Sequence, residues 1–259
     1  MDKKEKLLGK RDRLSLFTQR FVGWATLPFW SSFFIVIMRF WAKYSIKDLR
    51  EIRRSFKNML KESDGPILVC ANHLTKIDSA IINWSLASTW TYWKSFRSFP
   101  WNMPERARYA KNLILRFICY LGSCIPIDRG GDREKVNKSL DKIAYLMRKG
   151  HTVTIFPEGK RSIIGKIDPE DYSYGVGRLV KAAQNCKVLC IYLRGDKQDG
   201  SSSIPKRGAK FYFDMKLVTP ETPFKGLRAT KDIAEQIIKH LHEMELQYFS
   251  KIHLLQQPA

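Results

Sequence analysis

Cysteine and acidic side chains are both scarce in this 259-residue chain. The five cysteines, Cys70, Cys119, Cys124, Cys186 and Cys190, form no C-x-x-C pair, which excludes a zinc ribbon and a disulfide framework and leaves reduced cytosolic thiols. Asp and Glu number 25 against 46 Lys and Arg, a net charge of +21 at pH 7. That deficit favours an anionic partner: nucleic acid, a lipid surface, a phosphorylated substrate or an acidic carrier protein. Internal repeats and low-complexity tracts are missing, so a solenoid is excluded. With 44% apolar and 27% charged residues, the chain is neither disordered nor a polytopic membrane protein. Its first residues, MDKKEKLLGKRDR, are charged rather than apolar, which argues against a secretory leader and for a cytoplasmic setting.

The positive charge is uneven. Residues 1–61 carry 15 Lys/Arg and 5 Asp/Glu, close to half of the excess. Inside that segment, Phe21 to Met38 is an uncharged run of 18 residues, about 27 Å long as a helix and just short of a bilayer core of about 30 Å. Pro28 interrupts it, and 7 basic residues before it balance 8 between it and residue 61. Such symmetry sets no orientation across a membrane and suits a hairpin or broken helix that dips into one leaflet from the cytoplasmic face. Next, Lys43, Lys47, Arg50, Arg54, Lys57 and Lys61 recur as one helical stripe, with Ile46, Leu49, Ile52, Phe56, Met59 and Leu60 on the other face. The pattern fits an interfacial helix on an anionic leaflet, with a solvated face on a core-packed helix as the alternative. Residues 1–61 therefore read as a membrane-anchoring segment and 62–259 as a separate folded domain.

From residue 66 the chain alternates. Ile67–Ala71, Cys124–Ile127, Thr152–Phe156, Val188–Leu193 and Ala209–Leu217 read as strands, and 78–88, 111–121, 132–148, 174–184 and 229–249 as helices. This is the signature of an α/β fold with a mainly parallel central sheet flanked by helices. Trp84, Trp90, Trp93 and Trp101, with Phe96 and Phe99, either line an apolar tunnel, touch an interface or pack under a long connection.

Three predicted strand ends carry chemistry. After the first comes Asn72-His73-Leu74-Thr75-Lys76-Ile77-Asp78. On one continuous helix His73 and Asp78 would sit about 140° apart, so they meet only across a strand, a turn and the first turn of a helix. There the carboxylate takes an imidazole N–H, fixes the tautomer and leaves the other nitrogen to remove a proton from a hydroxyl. The second end is Ile127-Asp128-Arg129-Gly130, and the third is Phe156-Pro157-Glu158-Gly159-Lys160-Arg161-Ser162. Arginines beside glycines at strand ends form an anion clamp. The carboxyl edge of a parallel sheet is where open α/β sheets place ligands. No spacing among these residues matches a metal-ligand signature, so no metal is expected.

These blocks resemble those of the glycerolipid acyltransferase family that includes 1-acyl-glycerol-3-phosphate (lysophosphatidic acid) acyltransferase. Asn72 to Asp78 resembles N-H-x-[ST]-x-x-D, Gly122 to Arg129 resembles the block ending in I-D-R, and Phe156 to Ser162 resembles F-P-E-G-T-R-S. The resemblance implies N-terminal helices at a membrane, His73 as general base and Asp78 as its orienting partner. It further implies that Arg129 and Arg161 hold the acceptor phosphate while Glu158 and Gly159 place the glycerol hydroxyl. Lys160 replaces the usual Thr, adding charge at the phosphate site, and Cys190 stands where a fourth block has proline. The implied reaction is acyl transfer from acyl-coenzyme A or acyl-acyl carrier protein, a substrate rather than a cofactor, to a lysophospholipid, giving phosphatidic acid from the phosphate-headed acceptor. Another lysophospholipid or glycerol-3-phosphate is the alternative acceptor. A different class also accommodates the charge and the 12% aromatics: a non-catalytic protein that binds nucleic acid or anionic membrane. No nucleic-acid motif accompanies it.

Overall fold

The computed structural model describes residues 8–108, 110–128 and 131–256. Their strands are β1 (Ser45–Ile46), β2 (Ile67–Ala71), β3 (Trp101–Asn102), β4 (Val153–Ile155), β5 (Lys187–Gly195) and β6 (Lys210–Val218). They form one sheet in the order β1-β6-β5-β2-β4-β3. Every neighbouring pair is parallel except β5 and β6. The helices are α1 (Lys10–Val36), α2 (Leu49–Glu62), α3 (Asp78–Leu86), α4 (Thr89–Lys94), α5 (Leu113–Leu121), α6 (Arg133–Arg148), α7 (Gly175–Ala182) and α8 (Gly226–Gln256).

β2 is buried at all five positions because helices cover both faces of the sheet, which is why it reads as an unbroken apolar run rather than an alternating one. Leu68 and Cys70 meet Ile143 and Met147 of α6, Leu179 of α7 and Ile237 of α8 in one core. Val69 and Ala71 join Phe56 of α2 and Ile81 and Ile82 of α3 in the other.

α2 therefore departs from the interfacial reading. Its apolar face, with Ile52 and Phe56 buried, is used up against the sheet and α3, and Arg53 donates to the Trp84 carbonyl at 2.7 Å. The basic stripe from Lys43 to Lys61 is exposed. It is the solvated face of a core helix.

α1 is the second correction. Instead of a hairpin or a broken helix, Lys10–Val36 is one helix that passes through Pro28 and runs on as a π-turn, Ile37–Trp41. Proline removes one main-chain donor and disfavours a helix interior, but here packing on either side of it holds the helix. Leu27 is fully buried, Trp24 stacks on Trp93, and Trp30 meets Phe99 edge-on. Gly23 brings α1 against the end of α5, where a Cβ would lie 2.9 Å from the Leu121 carbonyl oxygen. The tryptophans divide accordingly: Trp84 and Trp101 are core, Trp93 packs on α1, and Trp90 is exposed.

Cys124–Ile127 is not a strand. It makes isolated parallel bridges, Asn102 with Cys124 and Glu105 with Ile127, because Pro104 and Pro126 withhold donors that a continuous ladder needs.

Gly177 on α7 faces α8 so closely that a Cβ would lie 2.0 Å from the Thr230 carbonyl oxygen. Gly177→Ala must push the helices apart. We expect destabilisation of about 1–3 kcal/mol, read as a lowered Tm in thermal unfolding; an unchanged Tm would show that this helix pair is loosely packed.

Candidate active site

β2 ends at Ala71, and the next residue fastens the turn that follows. Asn72 is buried; its Nδ2 donates to the Leu193 carbonyl at 3.0 Å and its Oδ1 accepts the Leu193 N–H at 2.7 Å. This amide continues the β2–β5 pairing by one residue after the chain has left the sheet. The turn then closes on Asp78, the first residue of α3. Asp78 Oδ2 lies 3.0 Å from His73 Nδ1 and accepts the N–H groups of Leu74 and Thr75, each at 2.7 Å. Its Oδ1 accepts the Thr75 hydroxyl.

The geometry places the imidazole proton on Nδ1 and the lone pair on Nε2. His73 is clamped from other sides as well. Its ring stacks on Phe156, with centroids 4.1 Å apart. Its N–H donates to Glu158 Oε1 at 2.7 Å, and its carbonyl accepts the Ser162 N–H at 3.0 Å. The first and third sequence blocks are therefore brought together at the carboxyl ends of β2 and β4.

Glu158 is 7% exposed and its Oε1 faces the His73 main chain. Burial pushes its carboxyl up to about 8, against the His73 hydrogen bond and with help from Glu245, Asp78 and Asp171. Gly159 sits at φ 69°, the left-handed region where a side chain strains the backbone, and this turns the chain away after Glu158.

Lys160 is exposed and pairs with Asp171 at 2.5 Å, so its extra charge is met locally. Arg161 donates Nη1 to the Ser202 carbonyl at 3.1 Å, while its buried Nε has no partner among the described residues. Arg129 and Gly130 lie outside the described residues. Asp128 holds Arg106 Nε through both oxygens, at 3.0 and 3.1 Å. Cys70, three residues before His73, is fully buried, and burial drives its thiol well above its ordinary value. That is the opposite of an activated nucleophile.

The arrangement offers an oriented imidazole whose Nε2 has no hydrogen-bond partner among the described residues. It suits proton removal from a hydroxyl. The Acyltransferase family pattern matches residues 51–194, a span that takes in His73, Asp78 and the whole third block. The chain belongs to the acyltransferase family. This acyltransferase is 29% identical over 105 residues to N-acylphosphatidylethanolamine synthase of Arabidopsis thaliana, 37% of this chain and 32% of that protein. The match spans about a third of the relative's length. Among solved structures it is similar to the 1-acyl-sn-glycerophosphate (LPA) acyltransferase PlsC of Thermotoga maritima, with 14% identity, 90% of this chain and 98% of that one covered, and a TM-score of 0.47.

Asn72, Phe156 and Ser162 lie inside the recognised blocks, yet nothing in their spacing announced a clamp. Arg194 was missed altogether. It is buried, donates to the carbonyls of Gly165 and Gln198, and lies over the Phe249 ring.

Because the folded carboxyl of Glu158 titrates near 8 and an unfolded one near 4.5, the folded state holds this proton more tightly. Its contribution to stability is fully present below about pH 4.5 and is lost as pH rises to about 8. Glu158→Gln keeps an acceptor for the His73 N–H but cannot ionise. The variant's Tm relative to wild type should therefore climb between pH 5 and 8, and a pH-independent difference would show that the Glu158 carboxyl is not held neutral.

Proposed function

We propose that this acyltransferase moves a fatty acyl group from a thioester donor to the hydroxyl of a lysophospholipid. The acceptor it favours is 1-acyl-glycerol-3-phosphate, which would give phosphatidic acid. The observation that carries the reading is the His73–Asp78 contact, 3.0 Å long, at the carboxyl end of β2. His73 Nε2 takes the acceptor's hydroxyl proton as the oxygen attacks the thioester carbonyl. A C–O bond forms, the C–S bond breaks, and the departing thiolate takes the proton from His73, which ends neutral. Asp78 holds Nδ1–H throughout and offsets the passing positive charge. No acyl-enzyme is needed, in keeping with the inert setting of Cys70. Arg161 meets the acceptor phosphate, with Arg129 as its expected second arm. The donor is acyl-coenzyme A or acyl-acyl carrier protein.

α1 seats the enzyme on the cytoplasmic face of a membrane without crossing it. With the π-turn, Lys10–Trp41 is long and apolar enough to span a bilayer, and only 17% of its most apolar window is buried. Yet Leu16, Gln19, Gly23, Leu27 and Met38 pack against the rest of the protein along its length. A crossing would draw the Tyr120 and Cys124 carbonyls that accept from Gln19, and the domain behind them, into hydrocarbon. Lying in the interface, α1 turns Phe17, Phe21, Phe29 and Phe33 toward lipid.

The name of the Arabidopsis relative supports a second reading, in which the acceptor is the amine of phosphatidylethanolamine. The purified protein, a radiolabelled acyl thioester and a panel of lysophosphatidic acid, other lysophospholipids, glycerol-3-phosphate and phosphatidylethanolamine separate these outcomes. An O-acyl product from lysophosphatidic acid is expected; an N-acyl product alone would replace that reading by the second.

His73→Ala should lower kcat by about 10²- to 10⁴-fold in protein that is folded and membrane-bound. Activity at the wild-type rate would remove the base from the mechanism. Arg161→Ala should chiefly raise KM for a phosphate-headed acceptor, by about tenfold for one lost charge-assisted contact. An unchanged KM would place the phosphate elsewhere.

A further inference from the structure

Two loops beside His73 hold large aliphatic side chains in water. Ile163 and Ile164, directly after the third block, are 83% and 71% exposed, and Ile204, in the loop after β5, is 60% exposed. Both loops are fastened at their bases. Buried Arg194 donates Nη2 to the Gln198 carbonyl at 2.9 Å and Nη1 to the Gly165 carbonyl. Gly165, at φ 69°, fits so tightly that a Cβ would lie 2.8 Å from the Asp199 carbonyl oxygen. The isoleucines are thus presented by a built support.

That support connects two places. Ser202 N–H donates to the Leu74 carbonyl and Lys76 N–H to the Ser203 carbonyl, both at 3.1 Å, which couples the Ile204 loop to the turn holding His73. On its other side, Arg207 Nε donates to the Trp41 carbonyl at 2.9 Å and Pro205 accepts the Tyr44 hydroxyl at 2.7 Å. The same loop therefore reaches the end of α1, where Phe40 and Trp41 are exposed. Lys76, Lys166 and Lys206 stand exposed on these loops.

We propose that Ile163, Ile164 and Ile204 form a docking rim that inserts into an anionic phospholipid surface. The rim continues the apolar end of α1 and brings His73 to the depth of the lipid headgroups. Two properties select a lipid surface. Aliphatic tips among lysines match an interface with hydrocarbon below and phosphates above, and the exposed Trp41 adds an aromatic ring of the kind enriched at that depth. The inference rests on the acyl-transfer reading for its purpose, but it can be tested without it.

An environment-sensitive fluorophore is attached to Ile204→Cys in a full-length Cys119→Ser/Cys124→Ser background and, as a control, to Lys231→Cys, about 27 Å along α8 from Phe249. The protein is mixed with phosphatidylglycerol/phosphatidylcholine vesicles whose acyl chains are brominated. Quenching at position 204 at least threefold above that at 231 is expected, and equal quenching at the two positions would overturn the rim. In parallel, I163S/I164S/I204S is assayed on a vesicle-borne lysophospholipid and on a short-chain acceptor present as monomers. The ratio of the two activities should fall by about fivefold or more for lost apolar insertion; an unchanged ratio, with or without a general loss, counts against the rim. Wild-type protein that acylates neither acceptor would refute the proposed reaction, while the quenching still decides the docking.

Discussion

The Asp78 carboxylate is the point on which the turn carrying His73 depends. A buried carboxylate needs donors on every side, and one left short costs several kcal/mol. Here the donors come from the five residues before it: the imidazole of His73, the N–H groups of Leu74 and Thr75, and the Thr75 hydroxyl. Satisfying one buried group thus fixes the path of the whole turn, and the path determines where His73 points. The carboxylate also stands in the first turn of α3, where the helix's exposed N–H groups favour negative charge. Strand end, turn and helix start are bound into one unit by a single side chain.

Glu158 shows what the same functional group does with fewer donors. It is buried to a similar degree, but its one main-chain donor is the His73 N–H, and three other carboxyl groups lie near enough to disfavour its charge. It holds His73 as a neutral acid. In the proposed transfer, a second full negative charge on the residue that holds the His73 main chain would compete with Asp78 for the proton that His73 carries. The two carboxyls thus divide the work, one orienting the ring and the other supporting its main chain.

The spacing of His73 and Asp78 was readable because only a strand, a turn and a helix start bring them together. β2 and the Val188–Leu193 stretch of β5 were equally readable, since they are buried and apolar at every position. Two-residue strands such as β1 leave no periodic trace, and the prolines at 104 and 126 broke a ladder that the apolar run 124–127 suggested. α2 was misread for a deeper reason: an apolar face opposite a basic stripe reports that one face is covered, not whether lipid or the protein's own sheet covers it. The tasks of Glu158, Asn72 and Arg194 depend on chain segments 85, 121 and 29 residues away. Local pattern carries no information about contacts of that range.

The excess positive charge takes on different roles once α2 is seen as a core helix. Its stripe still forms a positive surface, but the insertion that would hold the protein at a membrane cannot come from α2, whose apolar residues are committed to the sheet. Apolar contact with lipid must come from elements whose outer faces remain uncovered, and α1 supplies a row of them along its length. A cationic face attracts an anionic bilayer over about a Debye length, roughly 8–10 Å at physiological salt, and weakens as salt rises. Apolar insertion acts only on contact and is insensitive to screening. In the proposed membrane seating, the α2 stripe would set how fast and in what orientation the protein approaches a surface, while α1 would set how long it stays. Because the π-turn that continues α1 is hydrogen-bonded to the loop that supports the His73 turn, the proposed seating of α1 at a membrane would also set the height of the proposed base above the lipid.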